Sequence, residues 1–174
     1  NGVEDGAMNY MGFALPLRAF LTGRDVAYHP IRLSARDTLI WMERYRAGLS
    51  HQQQLCQFNQ LDSHDTARFF TLLGEDQASM QLALSWLFCY IGVPCLYYGD
   101  EIGLSGEDSP FCRAPFPWQS PQHWHHELLA HCRSLSTLRQ RHIALRRGAL
   151  LPLYADEESI LFLRVYGEER LLVA

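Results

Sequence analysis

A histidine followed directly by an aspartate, His64-Asp65, and a second acidic pair, Asp100-Glu101, are the residues of this sequence whose types and placement best suit chemistry. Each pair follows a short apolar run, residues 55–61 in one case and 93–98 in the other. Such runs read as strands, and barrels of parallel strands place catalytic groups on the loops at the carboxyl ends. On spacing alone, Asp65 and Glu101 could be the nucleophile and acid of a two-carboxylate glycosidase. A structural alternative stands beside this one. Asp and His often cap the helix after a strand, Ser63 and Thr66 are good capping residues, and Asp100-Glu101 can be a salt-bridged or capping pair holding the barrel end. The residues by themselves leave both readings open.

Other constellations carry less. His123, His125, His126 and His131 invite a zinc reading, but His126 and His131 are one residue too far apart for HExxH and leave a single helix face, so a solvated helix start is expected. No GxSxG occurs, which removes the serine nucleophile elbow. No GxGxxG or GxxxxGK[ST] follows a strand, which removes a nucleotide site.

The elements that must position these residues alternate. A weak strand is expected over 6–10, before Pro16. Ser34-Ala35-Arg36-Asp37 resembles a capping box with Asp in place of Glu, and apolar residues at helical spacing follow it up to Gly48. The strand over 55–61 comes next, then a helix over 75–91 that is apolar on nearly all sides and is stopped by Gly92 and Pro94. Residues 93–98 have the continuous apolar pattern of a strand covered on both faces. The stretch 103–121, rich in Gly, Pro, Ser and Asp and containing Phe111, Phe116 and Trp118, reads as a long loop of the kind that is usually functional. A helix over 123–147, with a break near its end, completes an α/β pattern. After Gly148 the character changes to short β runs at 150–154, 159–166 and 170–173, a meander that begins a different domain.

Composition bounds the partners. The chain has 174 residues, 48% of them hydrophobic, and a net charge of -4, the balance of a folded globular protein with no broad basic face for nucleic acid or anionic membrane. Arg139, Arg141, Arg146 and Arg147 read as a solvated helix end. The longest apolar run, 82–91, is far shorter than the roughly 20 residues of a membrane span. Five cysteines without CxxC spacing favour a reducing compartment. The sequence opens on Asn1, so a cut or processed chain is expected.

Two blocks together carry a family resemblance. Gln60-Leu61-Asp62-Ser63-His64-Asp65-Thr66-Ala67-Arg68 is similar to the block after the seventh strand of the α-amylase family barrel. Ile91-Gly92-Val93-Pro94-Cys95-Leu96-Tyr97-Tyr98-Gly99-Asp100-Glu101-Ile102-Gly103 is similar to that of the eighth. Cys112-Arg113-Ala114-Pro115-Phe116-Pro117-Trp118 resembles the next loop in the cyclomaltodextrinase, neopullulanase and maltodextrin glucosidase branch, and Met8-Asn9-Tyr10 resembles the end of strand six there. Within that branch the likeness is greatest to the bacterial maltodextrin glucosidases.

The resemblance implies an α/β fold: the C-terminal part of a (β/α)8 TIM barrel over residues 1–147, holding strands six to eight, then the start of an all-β C-terminal domain over 148–174. It implies a retaining hydrolase that cleaves α-1,4-glucosidic bonds of maltodextrins to glucose or maltose. The family's Asp nucleophile follows strand four and its Glu acid/base follows strand five. Neither strand falls within this sequence, so the polypeptide alone is expected to be inactive.

Asp65 is by this resemblance the third carboxylate, a transition-state stabiliser that grips sugar hydroxyls while the ring flattens toward an oxocarbenium ion. His64 would donate to a neighbouring hydroxyl, Arg68 would order the loop or reach substrate, and Tyr10, Arg113, Phe116 and Trp118 are further substrate-binding candidates. No cofactor and no metal are implied. The partner implied is a malto-oligosaccharide, in the cytoplasm, with neither nucleic acid nor membrane; a homo-oligomer is compatible. A non-catalytic glucan-binding or assembly protein on an amylase-like barrel is the alternative of a different class. A metal-dependent barrel hydrolase with His64 and Asp65 as ligands is a third.

Overall fold

A computed structural model of the protein describes residues 6–25 and 27–174. The first five residues of the expected barrel portion lie outside that range.

Three strand positions lie side by side and parallel. Met8 bridges Phe58, and β1 (Phe58–Gln60) pairs with β2 (Val93–Cys95) in the register Phe58 to Val93, Asn59 to Pro94 and Gln60 to Cys95. Parallel neighbours need a crossover, usually helical. Here α1 (Leu15–Thr22), α2 (Ala35–Ala47) and α3 (His51–Leu55) separate Met8 from β1, and α4 (Phe69–Leu72) and α5 (Gln77–Cys89) separate β1 from β2. After β2 the chain passes through the loop into α6 (His126–Arg141) and α7 (Ile143–Arg147). It ends in an antiparallel meander of β3 (Ala149–Ala155), β4 (Ile160–Tyr166) and β5 (Glu169–Val173).

Local chemistry explains where elements begin. Ser34 Oγ accepts from the Asp37 amide at 3.0 Å and donates to Asp37 Oδ2 at 2.9 Å, so Asp serves at the position expected of Glu. The Asp76 side chain accepts from the Ser79 amide at 2.8 Å and starts α5. Ser50 and Gln53 close a full capping box, with Gln53 Oε1 taking the Ser50 amide at 2.9 Å. That box winds His51–Leu55 into a helix, and the strand expected over 55–61 shortens to Phe58–Gln60. The helix expected over 123–147 starts at His126 and divides at His142 into α6 and α7.

The strand expected over 93–98 ends at Cys95, and it is not covered on both faces. Met8, Phe58 and Val93 are neighbours across the three strand positions and are 49%, 44% and 39% exposed. Period-two geometry sends them to one side, where they form an exposed apolar patch, while Gln60, two residues beyond Phe58 on that side, is buried.

On the other side the helices pack into one apolar cluster running from Phe13, Leu17 and Met42 through Leu84 and Leu87 to Leu128. Leu150 of β3 and Phe162 of β4 belong to the same cluster, so the meander is packed onto the helices rather than hung beside them. Two arginines, one of them from the meander, gather at the carbonyl end of α5, where unpaired C=O groups and the helix dipole favour cations. Arg164, fully buried on β4, donates to Cys89 O at 2.6 Å and Gly148 O at 2.9 Å. Arg139 donates to Phe88 O at 2.7 Å and also to Gly92 O, so it is an internal cap and not part of a solvated helix end. Burial pushes both guanidinium groups down to about 10.

Candidate functional site

The loop after β1 is built to hold His64 and Asp65 out toward solvent. Asp62 Oδ2 accepts from the Phe69 amide at 2.6 Å and closes the loop at its base. Inside it, Thr66 Oγ1 accepts from the Ser63 amide at 3.2 Å and Ser63 Oγ from the Asp65 amide at 3.2 Å. With both ends buried and the turn bonded internally, the side chains of His64 and Asp65 remain 60% and 63% exposed.

Their geometry is that of a small acceptor and donor group held from two directions. His64 Nε2 lies 3.3 Å from Asp65 Oδ2. Arg113, arriving on the loop after β2, donates from Nε to His64 O at 2.9 Å and from Nη2 to Asp65 Oδ1 at 3.3 Å. Cys112 Sγ donates to the same His64 carbonyl at 3.3 Å. Each carboxylate oxygen of Asp65 thus has a neighbour that fixes its direction, and each keeps lone pairs for hydroxyl donors.

Beneath this exposed group lies a buried one. Arg68 is fully buried, which takes it off the expected substrate-binding surface and makes it an internal brace. Its Nε donates to Cys112 O at 3.0 Å, its Nη1 donates to Tyr98 O, and its guanidinium stacks 4.1 Å from the Tyr97 ring centroid and 4.5 Å from that of Tyr98. A guanidinium tolerates such a place because it is weakly hydrated and flat. Asp100 Oδ1 sits 3.8 Å from Arg68 Nη1, and Asp100 is 1% exposed.

Burial pushes the Asp62 carboxyl up to about 6, against the pull of the Phe69 amide and Arg68. Burial and then the charge of Asp62 hold Asp100 well above the usual carboxylate range. Glu101 turns back on its own loop, where its Oε2 accepts from the Gly99 amide at 2.8 Å. Pairing Asp65 with Glu101 as nucleophile and acid therefore has no support in the geometry; of the structural alternatives, capping describes Glu101 and the ion pair with Arg68 describes Asp100. Gly99 permits this turn at φ 94°, where a Cβ would come within 2.8 Å of Leu104.

The other expected residues divide. Tyr10 opens the turn after Met8, and its OH lies 3.3 Å from Ser63 Oγ, so it joins the loop that carries His64 and Asp65. Trp118 is 71% exposed, on a ring cluster with Phe116 at 4.3 Å and Trp124 at 6.2 Å between centroids. That cluster follows Arg113 along the chain, but no contact joins it to Asp65. Of the histidines, His125 packs edge-on against Phe70 at 5.1 Å, and His131 Nε2 lies 2.9 Å from Ser85 Oγ, so these two serve helix packing instead of a solvated start. Among the described residues, no group of three or more His, Cys, Asp or Glu is placed to hold a metal ion. An apolar hollow lined by Phe20, Trp86 and Ile160 lies against the meander and contains none of the site residues.

Sequence reasoning missed two supports. The Tyr28 hydroxyl accepts from the Ala67 amide at 3.1 Å. An Asx turn at Asp25, which accepts from the Ala27 and His29 amides, presents Tyr28 at φ 64°, and Gly23-Arg24-Asp25 was its only trace in the sequence. Asn9 donates to Asn59 Oδ1 at 2.8 Å, a buried amide link between adjacent strand positions that no periodicity reveals.

Fold and site meet in the comparisons with known proteins. Residues 2–128 match the family model of the α-amylase catalytic domain. A cyclomaltodextrinase from a Bacillus species is 42% identical over 129 residues, 73% of this chain and 23% of that protein. Neopullulanase 2 of Thermoactinomyces vulgaris is 36% identical over 160 residues, 91% of this chain and 26% of that protein. The solved debranching enzyme of Nostoc punctiforme superposes with a TM-score of 0.86 at 36% identity, over 97% of this chain and 36% of that one. The chain belongs to the α-amylase catalytic-domain family, whose members are glycoside hydrolases on TIM barrels. It spans about a quarter of the length of these curated relatives.

Proposed function

We propose that this chain forms strands six to eight of a (β/α)8 barrel, with the first strands of a β-sandwich domain after residue 147, in a retaining hydrolase of α-1,4-glucosidic bonds in maltodextrins. The observation that carries this reading is the exposed His64-Asp65 pair at the end of β1, with Arg113 from the neighbouring loop set on Asp65 Oδ1 at 3.3 Å.

In this reading Asp65 accepts hydroxyl hydrogens of the glucose at the cleavage point. As the ring flattens toward an oxocarbenium ion those bonds tighten, and the negative carboxylate favours the growing positive charge. His64 donates to an adjacent hydroxyl, and Arg113 holds the carboxylate in line and offers a further donor to the sugar. Tyr10 borders the same loop, and Trp118 offers a flat apolar face on which a glucose ring can stack. Arg68 supports the loops from inside. The nucleophile and the acid/base come from strands four and five, as the family resemblance implies, so the 174-residue chain by itself does not release glucose. Five free thiols, three of them buried, suit a reducing cytoplasm.

The test is Asp65→Asn in the intact enzyme. Turnover of maltotriose should fall at least about a thousandfold while the folded content and Tm stay as in the wild type. Near-normal turnover would remove Asp65 from the site and leave the non-catalytic glucan-binding reading in its place.

A further inference from the structure

Asp62, just past β1, and Asp100, in the turn after β2, are both almost fully buried, and each carboxyl perturbs the other. Three of their four carboxyl oxygens, Asp62 Oδ1 and both oxygens of Asp100, accept no hydrogen bond. Two facing carboxylates would leave these three oxygens without hydrogen bonds and would repel, a costly arrangement in a dry site. One proton between them supplies the missing donor at the place it is missing. The cations near the pair do not replace it. Arg68 approaches Asp100 at 3.8 Å but gives its hydrogen bonds to the Tyr98 and Cys112 carbonyls, Arg18 of α1 lies over the Tyr28 ring at 5.2 Å, and Arg68 Nη2 and Arg18 Nε and Nη2 hydrogen-bond to neither carboxyl. Glu101, Cys95 of β2 and Cys132 of α6 are the other titratable neighbours, and none carries a positive charge.

We propose that Asp62 and Asp100 share one proton, and that this O–H···O bond fastens the loop carrying His64-Asp65 to the end of the next strand, making both residues positioning residues for Asp65. Asp62 closes its own loop through the Phe69 amide, while Asp100 stands beside Arg68, which holds the Tyr98 and Cys112 carbonyls. The shared proton adds a carboxyl-to-carboxyl link to those that Arg68 already makes between the two post-strand segments at their base, as Arg113 to Asp65 does at the surface. The high-lying carboxyls agree with this: burial holds both above the ordinary range, and the charge of Asp62 lifts Asp100 further. The positioning role rests on the function proposed for Asp65; the shared proton does not.

The experiment compares wild type, Asp100→Asn and Asp100→Leu in the intact protein. A carboxyl held above its unfolded value contributes stability that is complete at low pH and lost as pH rises through the raised value. Asn keeps a donor for Asp62 and cannot ionise, so from pH 5 to pH 9 the Tm difference should move in favour of Asp100→Asn by about 3 °C or more. The wild-type minus Asp100→Asn infrared difference spectrum at neutral pH should contain the C=O band of a protonated carboxylic acid. A Tm difference that stays constant with pH, or absence of that band, overturns the shared proton. In turnover of maltotriose, Asp100→Leu should lose about tenfold or more in kcat, and Asp100→Asn should recover most of the loss. If Asn is as poor as Leu while the band is present, the positioning role is overturned and the proton is not. If Asp100→Leu fails to fold, Asp100→Asn decides both points, by the band and by kcat. Failure of the functional reading itself is seen separately, as normal turnover by Asp65→Asn.

Discussion

Arg113 and Arg68 are the same residue type on neighbouring parts of one site, and burial gives them opposite duties. Arg113 is half exposed and touches only the His64 carbonyl and Asp65. Exposed ion pairs contribute about 0–1 kcal/mol, so Arg113→Ala should move Tm by less than about 3 °C. What it loses is direction at Asp65. For the intact enzyme we expect kcat/KM on maltotriose to fall about tenfold, measured by steady-state glucose release. An unchanged kcat/KM would confine Arg113 to the loop. Nothing in the sequence separates these two arginines, since each adjoins a recognisable block. Only the Tyr97 and Tyr98 rings and the carbonyls that gather around Arg68 make it internal, and those contacts come from residues about thirty or more positions away.

At the scale of elements, some ends that depend on a single side chain could be read, and ends that depend on a partner could not. Asp76→Ala removes the oxygen that takes the Ser79 amide at the start of α5. It should cost about 1 kcal/mol in urea unfolding, with the site unaffected; a loss within error would show that packing alone sets this helix start. Ser34, Gly92 and Pro94 were visible as punctuation, whereas the caps at Asp76 and Ser50 were not read. The strands of the meander were legible too, but the lengths of β1 and β2 were not. Residues 55–61 carry enough β-compatible side chains to suggest a longer strand, but the Ser50-Gln53 box claims the first of them for α3. In residues 96–98, Tyr97 and Tyr98 form an edge-to-face pair against the Arg68 guanidinium and do not extend β2.

For the whole molecule, the change in character at Gly148 announced the meander correctly, yet not that Leu150 and Phe162 enter the same core as α5. Arg164 is the polar counterpart of that joint. Replacing it with Met fills similar volume but leaves the Cys89 and Gly148 carbonyls without their donor. We expect a loss of about 2 kcal/mol in denaturant unfolding. Arg164→Lys should recover less than half, since one ammonium cannot reproduce the two-pronged geometry. Full recovery by Lys would mean that charge, and not the fork, closes the end of α5. The brace at Arg68 bears on how such a barrel can be altered. Segments 62–69 and 98–113 are joined from inside by this anchor, with the guanidinium on the first and its carbonyls on the second. A chimera that takes one segment from a relative and keeps the other inherits half a fastening, so the two are interchangeable between enzymes only as a pair.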